Sequence, residues 1–371
     1  MTVVFLVADR ISASSRLRVL QYVPLLRRDG LDVRVCATRP SKYLPRPRWL
    51  PRPRFCQLLY SVAATGLIVL QRAWQIAVIV PRGDVVVLQK DLLFRSRAWF
   101  LERAVLAVAR SRRARVVFDL DDAIYLGTSQ RLVPHMRAKG RALAQAATVV
   151  LAGSQAIASE LRPHSKAIAV MPTCIAVAAR PDRCYARTAD ALRLVWSGTP
   201  TNARYLDLLA GAVRVLRRDG PVRVEIVTRL ADLPPGALPP GLLAGLDVRL
   251  TEWSEAGEAA ALAAADIALA PLADNPWTRA KCGGRLLAYF ASAVPVVASP
   301  VGAQAEMVQH GATGLLATSA SEWAASLAAL RDSAELRRRL GQAGRRFVED
   351  NRSAQTRYPQ WRDVVLGADA G

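Results

Sequence analysis

The chain has 371 residues, of which 52% are hydrophobic and 22% are charged. This length exceeds what one core usually organises, and the hydrophobic content excludes extended disorder, so we expect a globular protein of two domains. Lys and Arg outnumber Asp and Glu by 51 to 30, which gives a formal charge of +21. Such an excess predicts an anionic partner, and nucleic acid, an anionic membrane and a nucleotide-sugar all qualify.

Cysteine and histidine usage argues against a disulfide framework and against a metal centre. The five cysteines are odd in number and form no CxxC pair, which favours a reducing compartment, the cytoplasm. His135, His164 and His310 do not stand at metal-ligand spacing, so neither a metal nor a cofactor is expected. The opening MTVVFLVADR reads as a strand and a loop rather than a signal peptide.

Short runs rich in Val, Ile and Leu alternate with helical patterns, which is typical of parallel sheets with crossover helices. The strands predicted in the first half are 3–8, 31–37, 84–89, 115–120, 148–153 and 166–172. Those predicted in the second half are 192–198, 222–228, 246–253, 265–272, 294–300 and 314–317. We therefore expect an α/β protein of two Rossmann-like domains with a ligand cleft between them. The expected bounds are 1–185 and 186–350, followed by a helical tail, 351–371, that packs back on the N-terminal domain.

One uncharged segment, residues 55–71, follows a basic and proline-rich run, PSKYLPRPRWLPRPR. As a helix it would extend only ~25 Å, which is short of the ~30 Å hydrocarbon core of a bilayer. Two interpretations stay open. Either this helix is buried against the sheet, or it lies at an anionic membrane surface that residues 40–80 contact, with Arg46, Arg48, Arg52 and Arg54 facing the lipid.

Residues 265–317 carry the most informative pattern of the chain. A strand is followed by an irregular loop, by Gly283 and Gly284 at the start of a helix, and by a second strand. Glycines before a helix let backbone N–H groups approach an anion, and the helix N-terminus adds partial positive charge. Because Lys281 and Arg285 flank this point, the pattern predicts a diphosphate site.

At these residues the chain resembles the group 1, or family 4, glycosyltransferases, and the resemblance extends over nearly the whole length. The family's pattern matches Asp266, Ile267, Pro271, Gly283 and Pro295 to Ser299, and its later part matches Glu306, Gly311 and Gly314. The resemblance implies the GT-B fold and a nucleotide-sugar donor bound by the C-terminal domain, with Glu306 among the donor-site residues.

This sequence departs from the family at two positions. The family commonly has two glutamates eight residues apart, where this chain has Ala280 and Ala288. It therefore resembles a variant branch, in which Lys281 would meet the diphosphate and Tyr289 would neighbour the ribose.

The segment WSGTPTNARYLDLL, residues 196–209, matches the family's glycine and cation pattern at the first turn of the second half. Gly198 and Arg204 fit this pattern, and Thr199 replaces the first cation with a hydroxyl. Trp253 and Ser254 end the strand where relatives hold the nucleotide base. Stacking on the base and core packing are equally open for Trp253.

The N-terminal half offers polar residues on the acceptor side. Ser14, Ser15 and Arg16 lie between the first strand and its helix, with Ser14 either an N-cap or a ligand contact. In FDLDDAIY, residues 118–125, Asp121 and Asp122 are expected to face the cleft and either bind sugar hydroxyls or act as a base, with Lys90 nearby. Asp119 and Asp121 imitate a metal-binding D-x-D motif, which we discount because a second Rossmann-like half follows.

We therefore predict a glycosyltransferase (a hexosyl- or related transferase) that moves a sugar from a nucleoside diphosphate donor to a saccharide or lipid-linked acceptor. The resemblance implies retention of configuration, no metal and a place in surface polysaccharide or glycolipid synthesis. The expected catalytic residues are Asp121, Asp122, Arg204 and Lys281. A non-catalytic sugar-nucleotide or nucleic-acid binding protein and a GT-B epimerase remain alternatives, although no specific nucleic acid is expected. The expected location is cytoplasmic and peripheral at the inner membrane face.

Overall fold

A computed structural model describes residues 1–38, 54–93, 98–126, 133–177, 183–186, 191–234, 236–240 and 247–367. The chain forms two compact units. The first unit comprises Met1–Thr173, the short segment Ala280–Cys282 and the chain from Arg357 onward. The second comprises Cys174–Arg279 and Gly283–Thr356. Pro181 and Asp182, just before the expected domain boundary at 185/186, lie outside the described residues.

The first unit is built on a parallel sheet of six strands. These are β1 (Thr2–Leu6), β2 (Asp32–Cys36), β3 (Val85–Gln89), β4 (Arg115–Leu120), β5 (Val149–Ala152) and β6 (Ile168–Val170), in the order β2-β1-β3-β4-β5-β6. The central strands are apolar along their length because helices cover both faces of the sheet. The strand order reverses between β1 and β3, so ligands are expected at the carboxyl ends of these two strands.

The helices of the first unit connect these strands. The α-helices are Ala13–Arg18, Val23–Arg28, Arg54–Val78, Phe100–Ser111, Val133–Ala146 and Gln155–Leu161. Short 3-10 helices occur at Leu20–Tyr22, Val80–Arg82, Ile124–Leu126 and Arg162–His164.

The second unit has a second parallel sheet of six strands. These are β7 (Leu192–Ser197), β8 (Val222–Thr228), β9 (Asp247–Glu252), β10 (Ile267–Ala270), β11 (Val296–Ala298) and β12 (Leu315–Leu316), in the order β12-β11-β10-β7-β8-β9. This is the order of a doubly wound dinucleotide-binding sheet, with its reversal between β7 and β10. All twelve predicted strands are present, and the prediction of an α/β protein with two Rossmann-like sheets is confirmed.

The α-helices of the second unit are Ala210–Leu216, Glu255–Ala264, Pro276–Arg279, Gly284–Ala291, Ala303–Met307, Ala320–Asp332 and Ala334–Asn351. Its 3-10 helices are Pro200–Leu209, Arg217–Asp219 and Leu230–Asp232. Pro200 begins the first of these, where its missing N–H has no intrahelical partner to lose.

The last helix, Ala354–Leu366, belongs largely to the first unit. The buried ring of Trp361 stacks on Tyr22 with 4.3 Å between the ring centroids and lies 6.2 Å from Phe5 in β1. The Tyr358 hydroxyl donates to Asp29 at 2.8 Å. The end of the chain therefore completes the core of the unit in which the chain begins.

The helix Arg54–Val78 corrects one prediction. Of the two interpretations of residues 55–71, burial against the sheet is wrong for most of the segment, because large apolar side chains stand exposed along the helix. Phe55 is 67% exposed and Leu70 is 69% exposed. Arg46, Arg48 and Arg52 lie outside the described residues, as does the side chain of Arg54.

Candidate functional site

The candidate site of the second unit begins at the carboxyl end of β7, beside the reversal of strand order. Gly198 follows this strand, and a Cβ atom at this position would overlap the Arg285 guanidinium and the Trp196 ring. The Gly198 carbonyl accepts a hydrogen bond of 2.7 Å from Thr228 Oγ1, which fixes the turn. Gly198 is thus the residue that allows a cation to lie directly against the backbone at this strand end.

Arg285 is that cation, and its guanidinium is incompletely satisfied. The group lies over the Trp196 ring, 4.6 Å from the ring centroid. Its Nε and Nη1 atoms are buried and have no hydrogen-bond partner among the described residues. Burial lowers the pKa of Arg285. Because an orphaned buried N–H costs about 1–3 kcal/mol and more on a charged group, this arrangement is one that a bound anion would complete.

The two glycines of the predicted diphosphate loop lead into the helix that carries Arg285. Gly283 is the N-cap and has a φ of +69°, and a Cβ atom there would overlap the Met307 methyl group. Gly284 is the first residue of the eight-residue helix Gly284–Ala291. The first backbone N–H groups of a helix have no intrahelical acceptor. Arg285 and these amides therefore stand on one short element.

The other predicted phosphate ligands of this unit lie on the segment after Gly198. Arg204 is exposed in the 3-10 helix Pro200–Leu209, with its guanidinium 5.0 Å from the Tyr205 ring centroid and Nη2 donating to the Tyr205 hydroxyl at 3.2 Å. The exposed Thr199 accepts a hydrogen bond from Asn202 at 2.9 Å. Thr199 therefore already uses its hydroxyl within the turn.

Trp253 and Ser254 lie beyond the end of β9, the neighbour of β8 in the sheet. Ser254 is the N-cap of the helix Glu255–Ala264 and accepts from the Gly257 N–H at 2.9 Å. The half-buried Trp253 donates its ring N–H to Glu258 at 3.3 Å, and Glu258 also accepts a hydrogen bond from Ser197. Glu258 was not predicted from the sequence, because only the fold brings its helix to the end of β7.

Tyr289 and Glu306 were predicted at the donor site. Tyr289 is fully buried, and its hydroxyl accepts from the Ser197 N–H at 2.8 Å and lies within hydrogen-bond distance of the Ser197 and Leu269 carbonyls. The ring and its hydroxyl are used inside the core, and the role at the ribose stays a prediction. Glu306 lies on the short helix Ala303–Met307 with an exposed side chain.

The candidate site of the first unit lies at the end of β3, again beside the reversal of strand order. Lys90 has a φ of +58°, a strained value for a residue with a side chain. Its Nζ atom lies 2.6 Å from Asp121, 2.9 Å from Asp122 and 2.7 Å from the Ser14 hydroxyl. The structure thus brings together four residues that the sequence had placed on the acceptor side, from the ends of β3 and β4 and from the helix Ala13–Arg18.

The charges of this cluster control its protonation. Burial alone would lower the pKa of Lys90, but the two carboxylates outweigh burial and raise this pKa. Burial alone would raise the pKa of Asp121, but Lys90 outweighs burial and lowers it. An ammonium held between two carboxylates therefore stays charged, and Asp121 is a weak base suited to accepting hydrogen bonds from hydroxyl groups.

The serine loop before the first helix needs one correction. The N-cap of the helix Ala13–Arg18 is Ser12 and not Ser14. The Ser12 N–H donates a hydrogen bond of 2.6 Å to Asp9 Oδ1. The Ser15 hydroxyl donates to Gln89 at 3.1 Å, and Arg16 donates to the Ile11 carbonyl at 3.1 Å.

Asp119, the first residue of the D-x-D pattern, is used by an ion pair. The buried Arg18 guanidinium donates to both oxygens of Asp119 and to the Met171 carbonyl. This carboxylate is therefore committed to a structural contact. Over the described part of the chain, no group of three His, Cys, Asp or Glu side chains is placed to hold a metal ion.

Lys281 lies in the segment Ala280–Cys282, which packs with the first unit. The Ala280 carbonyl is 3.5 Å from the Ser154 hydroxyl, and the buried Cys282 thiol fills the space that a side chain at Gly153 would need. Burial raises the pKa of the Cys282 thiol. The residues on either side of Lys281, Ala280 and Cys282, are thus buried and fix the backbone at this position.

Comparison with known families decides the assignment of the second unit. Residues 191–333 match the profile described as "Glycosyl transferases group 1". This part of the chain is a group 1 glycosyltransferase domain. The match covers Gly198, Arg204, Trp253, Arg285 and Glu306, so the predicted family is confirmed where the donor site was placed.

Solved structures show that the glycosyltransferase domain is part of a complete GT-B fold. Sucrose-phosphate synthase from Thermosynechococcus elongatus is 14% identical with a TM-score of 0.69, and the alignment covers 100% of both chains. HepE from Anabaena, in complex with UDP and glucose, is 14% identical with a TM-score of 0.66, covering 99% of this chain and 100% of HepE. A glycosyltransferase from Rickettsia africae is 14% identical with a TM-score of 0.64, covering 99% of both chains. A search of curated protein sequences found no match.

Proposed function

We propose that this glycosyltransferase moves a sugar from a nucleoside diphosphate donor to a hydroxyl group of an acceptor. One observation carries the proposal: the buried, incompletely hydrogen-bonded guanidinium of Arg285 lies against Gly198 at the switch point of a dinucleotide-binding sheet. A diphosphate has the charge and the acceptor oxygens to satisfy both orphaned N–H groups. HepE, which was solved with UDP and with UDP-glucose, makes uridine diphosphate the first candidate.

The same residues would serve the reaction. Negative charge develops on the diphosphate as the glycosidic bond breaks, so preorganised donors around it stabilise the transition state. We assign this role to Arg285 and the Gly283–Gly284 amides, with Arg204 and Lys281 as further cations. Retention of configuration without a metal is the stereochemical outcome that the family resemblance implies.

The cluster of Lys90, Asp121, Asp122 and Ser14 is our proposed contact for the acceptor. Carboxylates and a hydroxyl are hydrogen-bond partners for sugar hydroxyls. Because Lys90 lowers the pKa of Asp121, we assign this carboxylate to binding and orientation rather than to proton abstraction. The acceptor class that we propose is a saccharide or a lipid-linked saccharide of the cell surface.

A ligand panel tests the proposal on the wild-type protein. Thermal unfolding is measured with UDP, GDP and ADP, with the matching monophosphates, and with DNA and RNA oligonucleotides. We expect a diphosphate to raise the unfolding temperature more than its monophosphate, since the second phosphate reaches Arg285. A response to oligonucleotides alone, with steep salt dependence, would assign the chain to nucleic-acid binding instead.

The diphosphate that binds then identifies the donors for a transfer assay. Proton NMR of the product reads the configuration of the new linkage. Donor binding without transfer to any saccharide or lipid-linked saccharide would favour a non-catalytic sugar-nucleotide binding protein. Conversion of the free donor to its epimer would identify an epimerase.

A further inference from the structure

The helix Arg54–Val78 carries an apolar outer face with no partner among the described residues. Seven large apolar side chains on it are between 48% and 69% exposed: Phe55, Leu58, Leu59, Val62, Leu67, Leu70 and Trp74. Most follow one another at intervals of three or four residues, so they form a stripe along one side of the helix. Trp74, which is 58% exposed, lies near the C-terminal end of this stripe.

The opposite side of the same helix is held by the protein. Cys56, Tyr60, Ala64 and Ile68 recur every fourth residue and are less exposed than their neighbours. The line continues to Arg72, which is fully buried and donates to the Cys36 carbonyl at 2.9 Å and to Gln75 at 2.8 Å. The C-terminal part of the helix is therefore anchored on the first unit through Ile68, Arg72 and Ile76, and the apolar stripe faces outward.

The sequence that contains this helix has charges of one sign only. From residue 55 to residue 78 the sequence has one charged residue, Arg72, and its side chain is buried. The sequence has no acidic residue between Asp32 and Asp84, whereas nine Lys and Arg residues occur there. Arg82, exposed just beyond the helix, is one of these cations. An uncharged apolar stripe in a stretch of sequence whose only charges are positive is complementary to an anionic lipid surface.

We propose that the helix Arg54–Val78 docks the protein on an anionic membrane, lying in the plane of the interface with its apolar stripe in the lipid. The composition of residues 58–82 would also permit a helix that crosses a bilayer. Crossing is disfavoured because the buried contacts of Arg72 and Ile76 hold the C-terminal part of the helix against the sheet. The stripe from Phe55 to Trp74 is ~30 Å long at 1.5 Å per residue, enough to anchor the unit along one side.

The middle of the stripe has a surface feature that suits lipid. Gly66 has nothing within 4 Å of the position where a side chain would begin. A shallow, open depression runs past it along the helix, lined by Ser61, Val62, Thr65, Gly66, Val69 and Leu70. The docking surface is independent of the proposed sugar transfer, since it shares no residue with either candidate site.

The experiment is co-sedimentation of the full chain with vesicles of phosphatidylglycerol and phosphatidylcholine in varied ratio. The test variant is the double substitution Leu58→Glu with Leu70→Glu, both on the exposed stripe. Val215→Glu is the matched control, because Val215 is an exposed apolar residue on a helix of the second unit. Circular dichroism and thermal unfolding establish that all three proteins are folded.

We expect the wild type and Val215→Glu to bind phosphatidylglycerol vesicles, and added salt to weaken this binding. The double variant should lose at least about tenfold in partition coefficient, since two exposed leucines that would enter the lipid are replaced by charges of the wrong sign. Trp74 emission should shift to the blue on binding, and the shift should be absent in Trp74→Phe.

Four outcomes would overturn the proposal. The first is no binding to vesicles of any composition, and the second is equal binding by the double variant. The third is retention in the membrane after alkaline carbonate extraction, which would indicate a spanning helix. The fourth is a wild-type dimer that the double substitution converts to a monomer, which would assign the stripe to a second copy of this chain.

Discussion

Replacing Arg285 with Met separates a ligand-binding cation from a structural one. Methionine keeps much of the side-chain length and the contact with Trp196 but removes the guanidinium. In the absence of ligand, the substitution removes two orphaned buried N–H groups, each of which costs about 1–3 kcal/mol. It also loses a cation–π contact worth ~2 kcal/mol. We therefore expect the unliganded variant to be as stable as the wild type or more stable.

The diphosphate complex should respond in the opposite direction. Two hydrogen bonds from a charged donor contribute about 3 kcal/mol or more, which is at least a hundredfold in Kd. At a ligand concentration of 100 Kd, the wild type gains ~2.7 kcal/mol of stability from binding. At the same concentration the variant should gain only ~0.4 kcal/mol.

The assay is thermal unfolding of both proteins with and without the nucleoside diphosphate that binds the wild type. For a domain of this size, each kcal/mol corresponds to about 2–4 °C, so the two ligand-induced shifts are easily resolved. A variant that is strongly destabilised without ligand would show that Arg285 supports the fold. A variant that keeps the full ligand-induced shift would show that the diphosphate lies elsewhere, and either result refutes the reasoning.

Three further substitutions test other residues. Lys90→Met leaves Asp121 buried without its cation and should cost about 3 kcal/mol at neutral pH. In the wild type, the pKa of Asp121 is lower in the folded state than in the unfolded state, so its ionisation stabilises the fold. This stabilisation is fully present above the unfolded-state pKa of ~3.9, and it is lost as the pH falls through the lower folded-state pKa. The Lys90→Met variant should instead gain stability as the pH falls from 7 towards 5. Urea unfolding at several pH values measures this, and the same pH dependence of the free energy of unfolding in both proteins would contradict it. Tyr289→Phe removes the acceptor of the Ser197 N–H and should cost about 1–3 kcal/mol with unchanged nucleotide affinity, whereas a ribose contact would weaken affinity and spare stability. Lys281→Ala should reduce turnover at least about tenfold with little change in unfolding temperature, and unaltered turnover would remove Lys281 from the catalytic residues.

Local sequence pattern was sufficient for the fold. Parallel strands buried on both faces must be apolar along their length, so the central strands stand out as Val, Ile and Leu runs. The edge strand β9, DVRLTE, is largely exposed and was found from its Val and Leu residues and its place in the alternation of strands and helices. The sequence also predicted the functional glycines, since Gly198 and Gly283 stand at positions where a side chain would overlap a neighbour.

The hydrogen-bond partners of individual side chains could not be predicted from the sequence. Ser12 and Ser14 are equivalent as cap candidates by type, and only the backbone decides that Ser12 is the cap. Tyr289 follows the phosphate loop in sequence, yet the helix turns its ring inward beneath β7. Glu258 reaches Ser197 only because its helix packs beside that strand. Such contacts depend on tertiary packing between segments that are distant in sequence.

The helix Arg54–Val78 shows a different limit. Its apolar composition is compatible with a core helix, an interfacial helix or a spanning helix, because composition does not determine which side faces the protein. The buried position of Arg72 and the exposure of Leu70 and Trp74 provide that direction. Periodicity alone is ambiguous here, since the protein-facing line also consists mainly of uncharged residues.

The stacking of Trp361 on Tyr22 and Phe5 has a consequence for biosynthesis. A ribosome makes β1 long before the Trp361 helix, so the first unit lacks part of its aromatic core until the second unit has been synthesised. The second unit, which needs no residue after Thr356, can close before the first is complete, although N-terminal domains generally fold first. Expression of residues 1–173 alone should accordingly give a chain with an open core, and a stable version of this unit will require the final helix to be supplied as well.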